Sequence, residues 1–269
     1  MAKIKIAVAG CLGRMGQELS KKIIANKKLE FVGGFEHKKH KNVNKKFNKV
    51  SDIQSSGLIH SNPTLSIKMA NVLIDFTTPQ STLENIKIAS LNKTAVVIGT
   101  TGISSAQKSK IKSFSKKIPI LMSSNMSLGV NLLFNLVKQT SSALKETDYD
   151  IEIAETHHKH KKDAPSGTAL SLGDYAAQGR KTSLNKSKIL DRTKKLSSRK
   201  KGDIGFSVTR GGEIAGEHTV SFIGENDRVD LVHKANNRSI FVRGALDAAI
   251  FLSKKKSGFY TMNDLLFNK

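Results

Sequence analysis

The sequence predicts an α/β protein, with a doubly wound parallel sheet followed by a smaller α+β domain that has a mixed sheet. Over the first 125 residues, short apolar runs alternate with helical patterns, which is typical of parallel strands joined by crossover helices. The first strand-to-helix turn is rich in glycine. Near residue 125 the pattern changes to one long amphipathic helix and then to strands joined by short turns, which indicates a second domain.

The first half of the chain supplies the parallel sheet. Residues 3–9 are a predicted strand, a helix covers about 13–26, and the second strand covers 29–35. Residues 37–50 form a polar, lysine-rich connection. Further strands are predicted at 72–76, 94–98 and 118–122, with helices at about 79–91 and roughly 104–116.

The second half begins with a predicted helix over 128–144 and a strand at 151–155. A helix follows over about 168–178, and the basic residues 179–202 are expected to form a nearly featureless, mobile or surface loop. Strands are predicted around 204–209, 218–224 and 227–233, the last two as an antiparallel hairpin, and then a helix over 239–253 that could return to the first domain. We therefore expect two domains: residues 1–126, completed by 239–269, and residues 127–238.

Composition narrows the class of protein. The single cysteine, Cys11, excludes an internal disulfide framework and a cysteine-based zinc cluster. No apolar run is long enough for a signal peptide or a membrane span, which needs about 18–20 residues, so a soluble cytoplasmic protein is expected. The 45 Lys and Arg against 22 Asp and Glu give a net charge of +23, which attracts anions. Aromatic residues are scarce in the lysine runs, which favours solvated faces over a nucleic-acid partner.

The glycines Gly10, Gly13 and Gly16 lie between the first predicted strand and helix. Glycine there permits a tight turn and lets a pyrophosphate approach the amides of the helix N-terminus. Glu36 ends the second strand, where a carboxylate would accept hydrogen bonds from an adenine ribose. These residues predict a Rossmann-like, dinucleotide-binding domain.

The choice between NADH and NADPH stays open at this point. Glu36 favours NADH. His37, Lys38 and Lys39 follow it directly and either bind the 2′-phosphate of NADPH or form a solvated turn. Both cofactors are therefore expected candidates.

Two further loops follow the ends of predicted strands. Gly99-Thr-Thr-Gly102 has small residues and exposed amides suited to the nicotinamide half of the cofactor, and Ser123-Ser-Asn-Met126 could line the same crevice. Open α/β sheets bind ligands at this carboxyl edge. The first loop could also be an ordinary polar turn, and the second, which falls where the sheet pattern stops, could double as a hinge.

The densest polar segment is Glu155-Thr-His-His-Lys-His-Lys-Lys-Asp-Ala-Pro-Ser-Gly-Thr168. No second cluster of ligands stands at metal-like spacing and the lysines repel cations, so no metal site is expected. A basic nucleic-acid loop is a second, disfavoured interpretation. An anion-handling active site fits better, because lysine donates to carboxylates and histidine exchanges protons near neutral pH. Ser166, Thr168 and the amides that open the next helix would form an anion nest.

The chain resembles the 4-hydroxy-tetrahydrodipicolinate (dihydrodipicolinate) reductase family, which acts in the diaminopimelate route to lysine. The resemblance covers nearly the whole chain. It rests on the segments 9–16, 99–102, 125–131, 155–169, 210–218 and 233–238, of which 155–169 is highly specific. The glycine turn is shared with many dehydrogenases.

The resemblance implies a role for each matching residue. His157 would be the general acid/base and Lys161 the proton donor. His158, Ser166, Gly167, Thr168 and Arg238 would hold a dicarboxylate substrate. The dinucleotide would be contacted by Gly10, Cys11, Leu12, Gly13, Arg14, Met15, Glu36, Gly99, Thr100, Thr101, Ser123, Ser124, Asn125 and Met126. His37 stands where the family often has Arg, which puts recognition of the 2′-phosphate in question.

The implied activity is NAD(P)H-dependent reduction of 4-hydroxy-tetrahydrodipicolinate with loss of water, by a homotetramer assembled through the second, substrate-binding domain. Two alternatives stay open from the residues alone. One is a related reductase acting on another small dicarboxylate. The other is a basic nucleotide- or nucleic-acid-binding protein without turnover.

Overall fold

The computed structural model describes residues 2–193 and 198–267, which form two compact units. The first unit comprises residues 1–126 and 239–269, and the second comprises residues 127–238. Lys194 and Lys195, which belong to the predicted basic loop, lie outside the described residues.

The helices and strands follow one another in chain order. The first unit begins with β1 (Ile4–Ala9), α1 (Arg14–Ile24), β2 (Leu29–Phe35), α2 (Phe47–Val50), β3 (Ile59–His60), α3 (Pro63–Ile67), β4 (Val72–Asp75), α4 (Pro79–Leu91), β5 (Ala95–Ile98), α5 (Ser105–Phe114) and β6 (Pro119–Met122). The second unit contains α6 (Leu128–Ala143), β7 (Asp150–His157), α7 (Gly167–Gly179), α8 (Leu184–Ser187), β8 (Lys188–Ile189), β9 (Ile204–Arg210), β10 (Glu217–Ile223) and β11 (Arg228–Lys234). The chain returns to the first unit with α9 (Ser239–Leu252), β12 (Gly258–Tyr260) and α10 (Met262–Phe267).

The sheet of the first unit has seven parallel strands in the order β12-β6-β5-β4-β1-β2-β3. Every residue of β4 and β5 is buried, which explains the apolar sequence of β5 and of β4 up to Asp75, since a parallel sheet is covered on both faces. The strand order reverses between β1 and β4, and this switch point opens a crevice at the carboxyl ends of the strands. The predicted doubly wound parallel sheet is confirmed.

The sheet of the second unit has five strands in the order β11-β10-β7-β9-β8. β7 pairs antiparallel with β10 and parallel with β9, so the predicted mixed sheet is also confirmed. Helices α6 and α7 share an apolar core with one face of this sheet, to which Ile153, Leu172 and Phe222 belong. The predicted hairpin joins β10 to β11, and the Gly224 N–H donates to the Asp227 carbonyl at 2.9 Å.

Two predicted connections contain regular structure that the sequence analysis did not anticipate. The four-residue α2 buries Phe47 within the predicted polar connection. The prediction of a featureless loop over 179–202 is wrong for residues 184–189, because α8 buries Leu184 and β8 extends the sheet beside β9. These elements are only two to four residues long, too short to show a period of 3.6 or 2.

Within residues 2–193 and 198–267, no helix combines the length and the apolar character that crossing a membrane requires.

Candidate active site

The glycine turn between β1 and α1 is shaped by two close approaches. Gly10 has a φ of +62°, in the left-handed region that favours glycine. A Cβ on Gly16 would overlap the carbonyl oxygen of Gly10, so only glycine lets α1 start this close to β1. Gly13 is the N-cap of α1 and provides no side-chain cap, which leaves the amides of the first turn suited to a phosphate.

Glu36 is tied to the same turn from the end of β2. Its Oε1 accepts a hydrogen bond from the Leu12 N–H at 2.8 Å. A cavity of about 660 Å³ lies beside this contact, and its lining includes Glu36, His37, Lys38 and His40. The donors and the cavity fit a dinucleotide whose ribose meets Glu36. His40 is a cavity residue that the sequence analysis did not single out.

Cys11 contributes packing to this turn. Its side chain is fully buried and lies where a Cβ on Gly34 would stand. Burial raises the pKa of the Cys11 thiol, and the negative charge of Glu36 adds to the increase. Only the backbone of Cys11 is therefore suited to contact a dinucleotide.

Asp75, at the end of β4, connects the loops that follow β4 and β5. Oδ1 accepts hydrogen bonds from the Thr77 N–H at 3.0 Å, from Thr77 Oγ1 at 2.6 Å and from Thr100 Oγ1 at 3.4 Å. Oδ2 accepts from Asn85 Nδ2 at 2.9 Å. Burial raises the pKa of this carboxyl, while the donors oppose the increase. The buried Thr100 side chain thus stabilises the loop after β5. Thr101 is the exposed residue next to it.

The loop after β6 is stabilised by a hydrogen bond between its own residues and by a buried side chain. Ser123 Oγ donates to the Asn125 carbonyl at 2.7 Å, and Met126 is buried. A Cβ on Gly244 of α9 would overlap the Met126 carbonyl oxygen, so this loop packs directly on the α9 backbone. Ser124 is the exposed member of the segment.

In the second unit, Glu155 is the residue on which the hydrogen bonds of the polar segment 155–168 converge. Its buried carboxylate accepts hydrogen bonds from Arg210 Nη2 at 2.9 Å and the Ser166 N–H at 2.9 Å on Oε1. Oε2 accepts from Arg210 Nη1 at 2.8 Å and lies 2.5 Å from His157 Nδ1. We call Glu155, His157, Ser166, Arg210 and His218 the His157 cluster.

His157 is held so that one ring nitrogen faces Glu155 and the other faces Gly216. Burial lowers the pKa of His157, although Glu155 opposes that decrease. The ring is then neutral at pH 7, with its hydrogen on Nδ1 toward the carboxylate and a lone pair on Nε2. A Cβ on Gly216 would lie 2.8 Å from Nε2, so glycine at this position keeps that nitrogen uncovered.

Lys161 and Asp163 form an ion pair on the loop after β7, with 2.8 Å between Nζ and Oδ1. The hydrogen bond from Lys161 lowers the pKa of Asp163. Arg210 donates to the carbonyls of Lys161 at 3.3 Å and Asp163 at 2.6 Å, so one guanidinium fixes both this loop and Glu155.

Ser166 caps α7, and its Oγ accepts from the Ala169 N–H at 3.1 Å. The same Oγ lies 3.1 Å from His218 Nε2. A Cβ on the exposed Gly167 would meet no atom within 4 Å, so there is open space at the first turn of α7. This turn is suited to an anion.

The hydrogen bonds of the second unit join some of the expected site residues but not all. His157 and Ser166 meet at Glu155, and Lys161 is held to them by Arg210. The His158 N–H donates to the Ile214 carbonyl at 2.8 Å, and the exposed Arg238 lies directly before α9. Within the described part of the chain, no hydrogen bond ties the Arg238 side chain to the His157 cluster.

Sequence reasoning did not assign roles to Glu155, Arg210 or His218. The available signal was that Glu155 follows Ile151 and Ile153 at every second residue of the predicted strand, and His157 continues that spacing, which places both on the buried face. A charged residue buried on a strand requires a partner, and Arg210 is that partner.

The net positive charge is distributed unevenly. The first unit holds 26 of the 45 Lys and Arg but only 8 of the 22 Asp and Glu. The second unit has 19 basic and 14 acidic residues. The excess therefore belongs mainly to the unit that contains the glycine turn, where it attracts phosphate groups. In the described residues, no group of three or more His, Cys, Asp and Glu is arranged to hold a metal ion.

Both halves of the chain match models of the same protein family. Residues 4–126 match the family model described as dihydrodipicolinate reductase, N-terminus. Residues 129–266 match the model described as dihydrodipicolinate reductase, C-terminus.

Curated relatives and a solved structure agree with these matches. The 4-hydroxy-tetrahydrodipicolinate reductase of Parvibaculum lavamentivorans is 43% identical over 267 residues, covering 98% of each chain. That of Agrobacterium fabrum is 42% identical over 264 residues, covering 98% of this chain and 96% of the relative. The dipicolinate-bound dihydrodipicolinate reductase of Paenisporosarcina sp. TG-14 has the same fold, with a TM-score of 0.77 at 24% identity over 97% of this chain and 98% of the other.

Proposed function

Because the chain belongs to the dihydrodipicolinate reductase family, we propose specific roles for its residues in the reaction of that family. The protein is an NAD(P)H-dependent oxidoreductase that reduces 4-hydroxy-tetrahydrodipicolinate, with loss of water, in the diaminopimelate route to lysine. When bound, the reduced nicotinamide supplies a hydride. The remaining steps belong to the side chains of this chain.

We propose that His157 is the general acid/base and Lys161 the proton donor. The observation that supports this most directly is the 2.5 Å contact from His157 Nδ1 to a Glu155 carboxylate that Arg210 also holds. It leaves the lone pair of Nε2 to accept a proton from the substrate ring and pass it to the departing hydroxyl group, which then leaves as water. The Lys161 ammonium can return a proton to the reduced ring. Arg210 fixes the loop that carries Lys161, because it donates to the backbone carbonyls of Lys161 and Asp163.

The substrate carboxylates are proposed to bind at the start of α7. Ser166 caps this helix, and Gly167 and Thr168 are its first residues, where the positive end of the helix dipole favours negative charge. His158 and Arg238 are proposed to complete the site through their positive or hydrogen-bonding groups. Dipicolinate, the ligand in the Paenisporosarcina structure, is a suitable probe for this site because it is a planar dicarboxylate.

For the dinucleotide, the proposed contacts are the glycine turn, Glu36 and the loops around Gly99 and Ser123. Glu36 would accept hydrogen bonds from the ribose of NADH, while His37 and Lys38 at the cavity rim would meet the 2′-phosphate of NADPH. We therefore propose that both cofactors are used. Residues 1–126 with 239–269 would be the dinucleotide-binding domain, and residues 127–238 the substrate and oligomerisation domain.

We also propose a homotetramer in the cytoplasm. On the sheet face opposite the α6–α7 core, Ala154, Thr219 and Val232 stand side by side on β7, β10 and β11. Val232 is 49% exposed, so this row offers a flat, weakly polar surface for a second subunit. Light scattering tests the assembly, and Ala154→Arg should reduce the molar mass. An unchanged mass would argue against this face.

The function is tested by following oxidation of NADH and of NADPH with the precursor supplied by its own synthase. The expected result is oxidation that depends on the precursor, with kcat/KM measured for both cofactors. His157→Gln should abolish most of the turnover while dipicolinate still binds. Full turnover in this variant would contradict the role of His157.

A further inference from the structure

His218 occupies a buried position inside the His157 cluster. It lies on β10 between two cross-strand neighbours, Glu155 on β7 and His233 on β11. Its ring centroid is 5.1 Å from that of His157, with the ring planes at 77°. The residue is only 4% exposed. A polar ring in such a position costs stability unless its nitrogens have partners.

The partners of His218 indicate where its hydrogen lies. Nε2 is 3.1 Å from Ser166 Oγ, whereas Nδ1 is buried and has no hydrogen-bond partner among the described residues. Burial lowers the pKa of His218 to about 4, and the positive charge of protonated His157 adds to the decrease, so the ring is neutral with one N–H at pH 7. A buried N–H without an acceptor is rare, and an unsatisfied acceptor less so. The hydrogen therefore belongs on Nε2, which donates to Ser166.

Each hydrogen-bonding position of the Ser166 hydroxyl can then be assigned. A hydroxyl has two acceptor sites and one hydrogen. One acceptor site receives the Ala169 N–H of the helix cap, and the other receives the His218 Nε2–H. The hydroxyl hydrogen is left to point elsewhere. The opposite tautomer of His218 would instead draw that hydrogen inward, away from the open space beside Gly167.

We propose that His218 is a positioning residue that turns Ser166 into a hydrogen-bond donor for a substrate carboxylate. This inference rests on the proposed role of Ser166 in substrate binding. His218 should therefore change the affinity for the substrate anion, because it acts on the ligand only through Ser166. It does not involve the dinucleotide, whose proposed contacts lie in the first unit.

The experiment is a double-mutant cycle on the full chain, with the Kd of dipicolinate measured by calorimetry in the presence of NADH. Ser166→Ala and His218→Leu should each weaken dipicolinate binding by about tenfold, as expected for a lost hydrogen bond to a charged group. Because both changes remove the same bond, the double variant should also lose about tenfold rather than about 100-fold.

Three further variants separate this role from a structural one. His218→Gln places an amide N–H near the position of Nε2 and should restore affinity to within about threefold of the wild type. Phe222→Leu disturbs the core on the same strand, and Ser104→Ala removes the cap of α5; neither should change the Kd of dipicolinate by more than about twofold. NADH should bind all variants as it binds the wild type.

Wild-type affinity in His218→Leu, or losses that multiply in the double variant, would overturn the inference while leaving the role of Ser166 intact. Unchanged affinity in Ser166→Ala would overturn the substrate role of Ser166 itself, and the inference with it. Loss in His218→Gln equal to that in His218→Leu would also contradict donation from Nε2.

Discussion

Arg210 holds Glu155 with two parallel hydrogen bonds, from Nη1 to Oε2 at 2.8 Å and from Nη2 to Oε1 at 2.9 Å. Burial acts to raise the pKa of Glu155, but the bonds from Arg210, Ser166 and His157 outweigh it and lower the pKa overall. Glu155 is therefore a carboxylate at neutral pH. It can orient His157 and stabilise the imidazolium that forms when Nε2 accepts a proton.

Removing the charge of Glu155 should impair proton transfer. In Glu155→Gln we expect kcat to fall by about 100-fold, within the range for general acid/base catalysis. The carboxylate stabilises protonated His157, so its loss lowers the pKa of His157 further. The acidic limb of the pH profile of kcat/KM should move to lower pH, because the base then stays deprotonated in more acidic solution.

A matched control is Glu213→Gln, since Glu213 is an exposed carboxylate that pairs with Lys159 and His160. It should change kcat by less than about twofold, as expected for a surface ion pair. An acidic limb that stays in place in Glu155→Gln, or moves to higher pH, would show that Glu155 does not tune His157.

The Glu155–Arg210 pair shows how much of the site the sequence could predict. The 155–169 segment could be identified from the sequence by its density of His, Lys and small residues. Those residues are close in space because they lie on one local loop. Arg210 lies 55 residues further along the chain, and Ser166 is 52 residues from His218. Such partners are set by the pairing of β7 with β9 and β10, and strand order in a mixed sheet does not follow from spacing along the chain.

The fold shows a similar division. β2 begins and ends at the predicted residues, since its apolar run is bounded by polar residues on both sides. The buried runs of β4 and β5 were equally clear. α8 and β8 were missed because their formation depends on packing of Leu184 against α7 and pairing with β9, which tertiary structure supplies.

Lys161 should affect chemistry far more than cofactor binding. In Lys161→Ala we expect kcat to fall by about 100-fold or more, because the proposed proton donor is lost. The Kd of NADH should stay within about twofold, since the proposed dinucleotide contacts belong to the first unit. Steady-state kinetics and fluorescence titration with NADH measure the two effects. The neighbouring exposed Lys162→Ala serves as the control. Equal losses in both measurements would indicate a cofactor contact or a structural residue.

Glu36 should bias the enzyme toward NADH. Glu36→Ala removes the proposed acceptor for the ribose hydroxyls and the bond to the Leu12 N–H. We expect the affinity for NADH to fall about tenfold and that for NADPH to fall less, since the 2′-phosphate no longer faces a carboxylate. Glu30→Ala changes an exposed carboxylate on the same strand and should leave the ratio of the two affinities unchanged. An unchanged ratio in Glu36→Ala would contradict the ribose assignment.

Asp75 should matter for stability as well as for the cofactor loops. Asp75→Ala leaves the Thr77 hydroxyl and the Asn85 amide of this buried network without the carboxylate to which they donate, while the Thr77 N–H keeps Thr100 Oγ1 as an acceptor. Each unsatisfied buried group costs about 1–3 kcal/mol, so we expect the free energy of unfolding to fall by about 3 kcal/mol. The matched control is Asp52→Ala, whose side chain is 90% exposed and lies 3.5 Å from Lys21. That control should change the free energy of unfolding by less than about 0.5 kcal/mol. Urea denaturation of both variants makes the comparison, and equal effects would mean that the Asp75 network does not hold the loops after β4 and β5.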